Sequence, residues 1–477
     1  MGAHTQNKRI IVLATIVSRC LVLCIAQIAS YLPLFDASPF LLLPNPNTSP
    51  DTTIFSRWTS TLLRWDAFHF SHIALHGYVF EYEWAFFPGI AFVMRYAGIL
   101  LRRAKAYFGH ASVLSLEDVL QGGALAALLC DFLAPLTLYD LTVEHFHSRD
   151  VALVTALTSL LPGSPAALRH APYTEPFFAY LSYKGMVSCT RKRYAAASCY
   201  FAAASAFRSN GILLSGFIVW DILLAPILSG TKRMPDILSI LKAVILAAPP
   251  LVPSIIHQYI AYRLFCSPNP NLTSIFAHLP PTVHFTPASW CNNMPPSIYT
   301  YAQSTYWNVG LFRYWTTAQI PNFLIAAPVL ALLFSFSWWY IRHALLPPLK
   351  RMLYPQSASP SPAPHSRRSD TPGHGEAINS DNLGRAFLNP TLAPHAIHAF
   401  ILASTLLFAS HVQIALRLTA GVPFTYWGVV WLLSRDKTTP GHPNAAPRFR
   451  WGKIWITWSA IWGALSIILW VTFLPPA

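Results

Sequence analysis

Residues 10–32 read IIVLATIVSRCLVLCIAQIASYL, twenty-three positions with a single charged side chain, Arg19. A helix of about 20 such residues spans the hydrocarbon core of a bilayer, where the backbone must bond to itself, so the run reads as a membrane helix. Lys8 and Arg9 precede it and no small-residue cleavage site is convincing, so the segment is expected to be retained with its N-terminus in the cytosol. Similar runs recur at 85–101, 119–143, 151–167, 176–187, 195–228 (broken near Arg208-Ser209-Asn210-Gly211), 237–265, 321–346, 394–418, 423–433 and 454–473. With the first they predict about eleven spans, hence an all-α polytopic membrane protein over the whole chain, 1–477.

Composition agrees. Of 477 residues 54% are hydrophobic and only 11% charged, against about 25% charged in soluble domains. The net charge of +15 would suggest nucleic acid in a soluble chain, but the basic residues cluster between apolar runs, at Arg102, Arg103 and Lys105, Lys232 and Arg233, Lys350 and Arg351, Arg367 and Arg368. That is the pattern of positive-inside topology, and no nucleic acid partner is expected.

Two loops are large. Residues 33–84 contain the glycosylation pattern Asn47-Thr48-Ser49 and residues 266–319 contain Asn271-Leu272-Thr273, so both are expected in the lumen. The second holds Cys266 and Cys291, the only cysteines in lumenal polar sequence; a disulfide between them is expected, with two separately buried thiols as the other reading. Residues 347–390, rich in Ser, Pro, His and Arg, read as a disordered cytosolic loop. One conflict remains in this map: Arg191-Lys192-Arg193 belongs in the cytosol by charge but in the lumen by helix count, unless a segment between Ala85 and Gly211 is re-entrant.

Candidate chemistry concentrates in the first loop, whose segment 58–76 lacks Pro and Gly and fits a helix on the membrane surface. There Arg64-Trp65-Asp66 precedes His69, His72 and His76, with Glu81 and Glu83 following. Asp66 and His69, three apart, share a helix face, and a carboxylate beside an imidazole at a lipid surface is a candidate general base. The bland reading is an interfacial aromatic helix with a salt-bridged Asp. No Cys or Asp cluster joins the histidines, so no metal site is assigned. Further polar groups stand at the ends of apolar runs: Tyr173, Thr174 and Glu175; Arg208 and Asn210; Trp307 and Asn308; His411, Gln413 and Arg417. An arginine near a membrane interface suits a lipid-linked phosphate, because its planar fork donates two hydrogen bonds. The competing reading is a secondary transporter with Arg19, Arg95 and Asp131 along its path, although no repeated halves are evident.

Arg64-Trp65-Asp66-Ala67 with His69, His76-Gly77-Tyr78, Glu81 and Ala85-Phe86-Phe87-Pro88 resembles the first-loop signature of the phosphatidylinositol-glycan class V (GPI mannosyltransferase 2) family, in its fungal branch. Ser164-Pro165-Ala166, Ala171-Pro172-Tyr173-Thr174-Glu175, Arg208-Ser209-Asn210-Gly211, Tyr306-Trp307-Asn308-Val309-Gly310, Gln319-Ile320-Pro321-Asn322-Phe323 and His411-Val412-Gln413 with Arg417 follow in the family's order. The match runs from about Arg57 to Trp427; Phe68, His72 and the insert 347–390 depart from it. The resemblance implies a multi-span (GT-C type) glycosyltransferase of the endoplasmic reticulum membrane, its active site facing the lumen. It implies transfer of the second mannose, in α-1,6 linkage, from dolichyl phosphate mannose to a GPI-anchor precursor. Because the donor is β-linked, inversion by one displacement follows, with Asp66, His69 and Glu81 catalytic and Arg64, Trp65, His76, Tyr173, Glu175, Arg208, Asn210, Trp307, Asn308, His411, Gln413 and Arg417 binding substrate. It implies no cofactor beyond the lipid-linked donor, and a small accessory membrane subunit as a partner.

Overall fold

The computed structural model describes residues 2–45, 53–107, 113–161, 163–231, 234–267, 287–353, 384–437 and 449–474. Asn47, Asn271 and residues 354–383 of the expected disordered loop lie outside these. The described ends of that loop are ordered: Pro347 to Leu353 are helical, and Phe387 is wholly buried.

Every regular element among the described residues is helical. The first half comprises α1 (Gly2–Ala29), α2 (Ile54–Ser60), α3 (Ala67–His76), α4 (Pro88–Tyr107), α5 (Leu116–Phe146), α6 (Arg149–Thr158), α7 (Pro165–Arg169), α8 (Glu175–Thr190) and α9 (Tyr194–Ser205). There follow α10 (Ser209–Leu228), α11 (Ile237–Phe265), α12 (Ile298–Thr305), α13 (Thr317–Met352), α14 (Pro390–Phe408), α15 (Ala415–Leu418), α16 (Pro423–Lys437) and α17 (Trp451–Val471). Seven of them, α1, α5, α10, α11, α13, α14 and α17, are long and apolar enough to cross a membrane. Local sequence sets several boundaries. Ser115 and Asp118 form a reciprocal capping box at the start of α5, whose first turn is acidic, and Pro176 sits in the first turn of α8, where its missing N–H costs nothing.

Ion pairs mark the two ends of the bundle. Lys8 pairs with Asp140 at 2.8 Å, Arg191 with Glu144 at 2.8 Å and Lys192 with Asp221 at 2.5 Å, all at the end where α5 finishes. Lys105 pairs at 2.7 Å with Asp118, which is 22 residues before Asp140, or about 33 Å of helix rise away. Residues 85–101, expected as a span, therefore belong to a helix that runs back along the first half of α5. The approach is close: a Cβ on Gly122 would lie 2.5 Å from the Gly98 nitrogen. Residues 195–228, expected as one broken span, form two helices, α9 and α10, and of these α10 is long and apolar enough to cross a membrane. Arg191-Lys192-Arg193 falls at the same end of the bundle as Lys8, the side on which its charge places it.

The segment through α6 and α7 is broken in mid-bundle. Its orphan carbonyls are satisfied by Arg169, which donates to Leu160 at 2.6 Å and Ser159 at 3.0 Å, while Asp131 pairs with Arg19 at 2.5 Å and lies 3.7 Å from Arg169. Arg19 and Asp131, candidates for a transport path, thus neutralise a helix break inside a buried cluster. The break carries residues 170–175 to the opposite end of the bundle, onto a core of Phe70, Ile90, Met94, Tyr173, Phe177 and Trp470 that underlies the first loop.

Candidate active site

The turn that presents Asp66 is built from behind. Arg64 is 2% exposed and faces no carboxylate; its guanidinium donates to the carbonyls of Ser60 (2.7 Å), Leu63 (2.8 Å) and Val471 (3.0 and 3.1 Å). It thereby caps the last turns of α2 and α17 together, and burial pushes it down to about 9, still a cation at neutral pH. Trp65 then takes a left-handed φ of 52° and stacks on Phe473. That bend leaves Asp66 at the N-cap of α3, where an Asp side chain ordinarily accepts from the helix's own N–H groups. Here the carboxylate makes no such bond.

It bonds Arg417 instead. Arg417 Nη2 donates to Asp66 Oδ2 at 3.0 Å, and its Nε donates to Glu175 Oε1 at 2.7 Å. Arg208 Nη1 reaches the same Glu175 oxygen at 2.8 Å and Thr174 Oγ1 at 2.7 Å. Two carboxylates and two guanidiniums thus alternate, graded by exposure: the Glu175 side chain is 2% exposed, Arg417 12%, Arg208 18% and Asp66 27%. Burial opposes the Arg417 charge, but Glu175 and Asp66 outweigh it and push its pKa up. Asp66 is the more exposed acid of this cluster, and its Oδ1 takes no bond among the described residues. His69, one turn along α3, stacks on Phe86 at 5.0 Å and meets the Trp307 edge at 5.5 Å. Burial moves its imidazole below the ordinary range, against the opposing pull of Asp66 and Glu83, so it is neutral at pH 7.

The second loop forms the facing wall. Cys266 and Cys291 are disulfide-bonded with Cα atoms 5.5 Å apart, as expected, and the neighbouring Trp290 is 1% exposed. Trp290 Nε1 donates to Glu81 Oε1 at 3.2 Å and the Tyr306 hydroxyl donates to Glu81 Oε2 at 3.0 Å, while His411 Nε2 donates to the Trp307 carbonyl at 2.7 Å. Trp307 therefore hangs between the first loop and the α14–α15 connection. Closing the 25-residue separation contributes about 3 kcal/mol in the chain-entropy model. Peptides alkylated without reduction should give the two cysteines as one linked species by mass spectrometry, and a Cys266→Ser, Cys291→Ser protein should melt at a lower temperature. Free alkylation of both contradicts the bridge.

The structure brings Asp66, His69, Glu175, Arg208, Trp307, His411 and Arg417 together, with Asn210 and Gln413 beside Arg208 and His411 in the chain, and places several of the others elsewhere. Tyr173 is wholly buried beneath Arg417 and Arg64 is buried behind the turn, so neither is placed to touch a substrate. Glu81 accepts from Trp290 and Tyr306 and so joins the two loops. His76 is exposed and packs its ring on His72, and Asn308 forms an exposed turn with φ of 50°. His72 donates to Glu83 at 2.5 Å, and Glu83 also accepts from the Val79 and Phe80 N–H groups, so this pair closes the turn after α3. Glu83 and Thr174 stand in the sequence only as members of polar clusters, and Tyr314 carries no sequence signal; it holds Asn322 and stacks on His411. Three buried polar atoms there, Asn210 Nδ2, Trp307 Nε1 and Gln413 Oε1, have no hydrogen-bond partner among the described residues. Such orphans are costly unless a ligand completes them.

Residues 8–477 match the family model described as Mannosyltransferase (PIG-V). The chain belongs to the PIG-V mannosyltransferase family. It is 32% identical over 485 residues to GPI mannosyltransferase 2 of Cryptococcus neoformans, with 100% of each chain covered. The GPI alpha-1,6-mannosyltransferase 2 of Rattus norvegicus is 33% identical over 397 residues (78% of this chain, 73% of that one), and its Homo sapiens counterpart is 30% identical over 406 (80% and 77%). Among solved structures, an oligosaccharyltransferase of Archaeoglobus fulgidus superposes with a TM-score of 0.44 at 13% identity, covering 96% of this chain and 56% of that one. PIG-V membership makes this a membrane-embedded mannosyltransferase of GPI-anchor biosynthesis and sets the transporter reading aside.

Proposed function

We propose that the chain transfers mannose from dolichyl phosphate mannose to a GPI-anchor precursor, adding the second mannose through an α-1,6 bond with inversion. The observation that carries this reading is the accessible Asp66 carboxylate, withheld from capping α3 and paired with Arg417 at 3.0 Å. The acceptor's 6-hydroxyl attacks the anomeric carbon and passes its proton to Asp66, and the bond to the dolichyl phosphate oxygen breaks. The electron pair leaves on the phosphate, where the forks of Arg417 and Arg208 meet it. In-line displacement sets nucleophile and leaving group on opposite faces of the sugar, so donor binding separates Asp66 from Arg417, whose Nε stays on Glu175. The sugar hydroxyls give Asn210 Nδ2, Trp307 Nε1 and Gln413 Oε1 the partners those buried atoms lack. A phosphate monoester leaves readily, so a protonating acid is not needed and neutral His69 serves as a wall and hydrogen-bonding group.

The orientation proposed puts Lys8, Arg191, Lys192 and Arg193 in the cytosol and the Asp66 end in the lumen of the endoplasmic reticulum. The donor and acceptor are then both lipid-anchored at the lumenal leaflet, and a small accessory membrane subunit completes the proposal. Microsomes containing the chain as sole enzyme of its kind, given labelled dolichyl phosphate mannose and a monomannosylated precursor, should yield an α-1,6-linked dimannosyl product. Transfer from nucleotide-activated mannose with no dolichyl phosphate mannose present, or a β-linked product, overturns the reading.

A further inference from the structure

We propose that Tyr173 is a positioning residue that serves both halves of the reaction, its hydroxyl holding the turn that presents Asp66 and its ring holding the plane of Arg417. The inference rests on the roles given above to Asp66 and Arg417. The Tyr173 hydroxyl donates to the Arg64 carbonyl at 3.0 Å, and the Ala67 N–H donates to the same carbonyl at 3.0 Å. That second bond closes the four-residue turn whose middle positions are Trp65, at a left-handed φ of 52°, and Asp66. A non-glycine residue in that conformation is held only by its surroundings, and here the surroundings are the Arg64 hub, the Phe473 ring and the Tyr173 hydroxyl. At the other end of the same side chain, the Arg417 guanidinium carbon lies 4.8 Å over the ring centroid. A cation above an aromatic face is attracted to it, more so when water is excluded, and the ring is fully buried. Phe70 from α3 and Trp470 from α17 meet the ring edge-on at 5.3 and 5.0 Å and fix its plane. Tyr173 arrives there because the broken pass through α6 and α7 delivers it, two residues ahead of Glu175. One side chain therefore holds both the turn that carries the acid and the plane of the cation, the two groups that donor binding draws to opposite sides of the sugar.

The two ends of the side chain are separable by substitution. Tyr173→Phe removes only the hydroxyl bond, so turnover per folded enzyme should fall about tenfold while the donor KM is unchanged. Tyr173→Leu also removes the ring, so the donor KM should rise about tenfold in addition. Enzyme is quantified as folded protein by size exclusion in detergent, and Asp66→Asn is assayed beside both. A role in folding alone would change the yield and leave both constants per folded enzyme at wild-type values, which overturns the proposal. So does a Phe variant whose KM rises while turnover is kept. Wild-type turnover in Asp66→Asn would defeat the underlying reading itself, whereas an inactive Asp66→Asn beside a normal Tyr173→Phe defeats the positioning role alone.

Discussion

Asparagine in place of Asp66 is expected to lower mannose transfer by at least about 10²-fold with normal protein levels, because it keeps the shape and removes the proton acceptor. The surroundings make this substitution unusually clean. Asp66 does not cap α3, so no helix cap is lost, and Arg417 keeps its 2.7 Å bond to Glu175. Its side chain is 27% exposed, so the neutral amide costs little on burial. The measurement is the initial rate in microsomes normalised to protein amount, and near-wild-type transfer would remove Asp66 from the chemistry.

The second large effect is expected at Arg417. Its Nε and Nη2 bridge Glu175 and Asp66, a geometry that only a planar fork supplies. Lysine retains the charge and can satisfy one acid at a time, so the donor's kcat/KM should drop about tenfold. Alanine should cost about 10²-fold or more, since a charge-assisted phosphate contact is lost outright. Alanine also leaves Glu175, 2% exposed, with Arg208 as its remaining ion-pair partner, and breaking a buried pair costs about 3–5 kcal/mol of stability. The lysine variant, read by donor affinity rather than by yield, is therefore the informative one. If both variants leave the donor's apparent affinity unchanged, the phosphate belongs on Arg208 instead.

Asp66 and His69 were legible because each physical clue was local: a polar pair three residues apart on an amphipathic helix, in a loop between apolar runs. The Cys266–Cys291 bridge was legible by compartment, since the other five cysteines lie in or beside apolar runs. Arg417 was legible only as an arginine at a membrane interface. That it pairs with Asp66, 351 residues away, was not, because no local pattern encodes which acid a distant guanidinium will meet. Arg64 and Tyr173 look like site residues for the same reason that they are not exposed ones. They stand beside Asp66 and Glu175 in sequence, but the left-handed bend at Trp65 and the break after α6 turn them inward. Glu81 and Glu83, two residues apart, differ in task because Trp290 and Tyr306 from a distant loop meet one, while His72 and two backbone N–H groups meet the other.

By itself the sequence determined the class, since apolar runs of bilayer length with few charges admit helices and little else, and it determined which segments bear polar chemistry. Only the tertiary structure decided that residues 88–107 fold back along the first half of α5, because a helix of crossing length carrying Arg95, Arg102, Arg103 and Lys105 has a choice of surroundings that hydropathy alone does not settle. Only it decided, too, which acid stays reachable. Burial and pairing belong to groups brought together from α3, α8, the α9–α10 connection and α15, and the free energy of a charge depends on those neighbours far more than on its place in the chain.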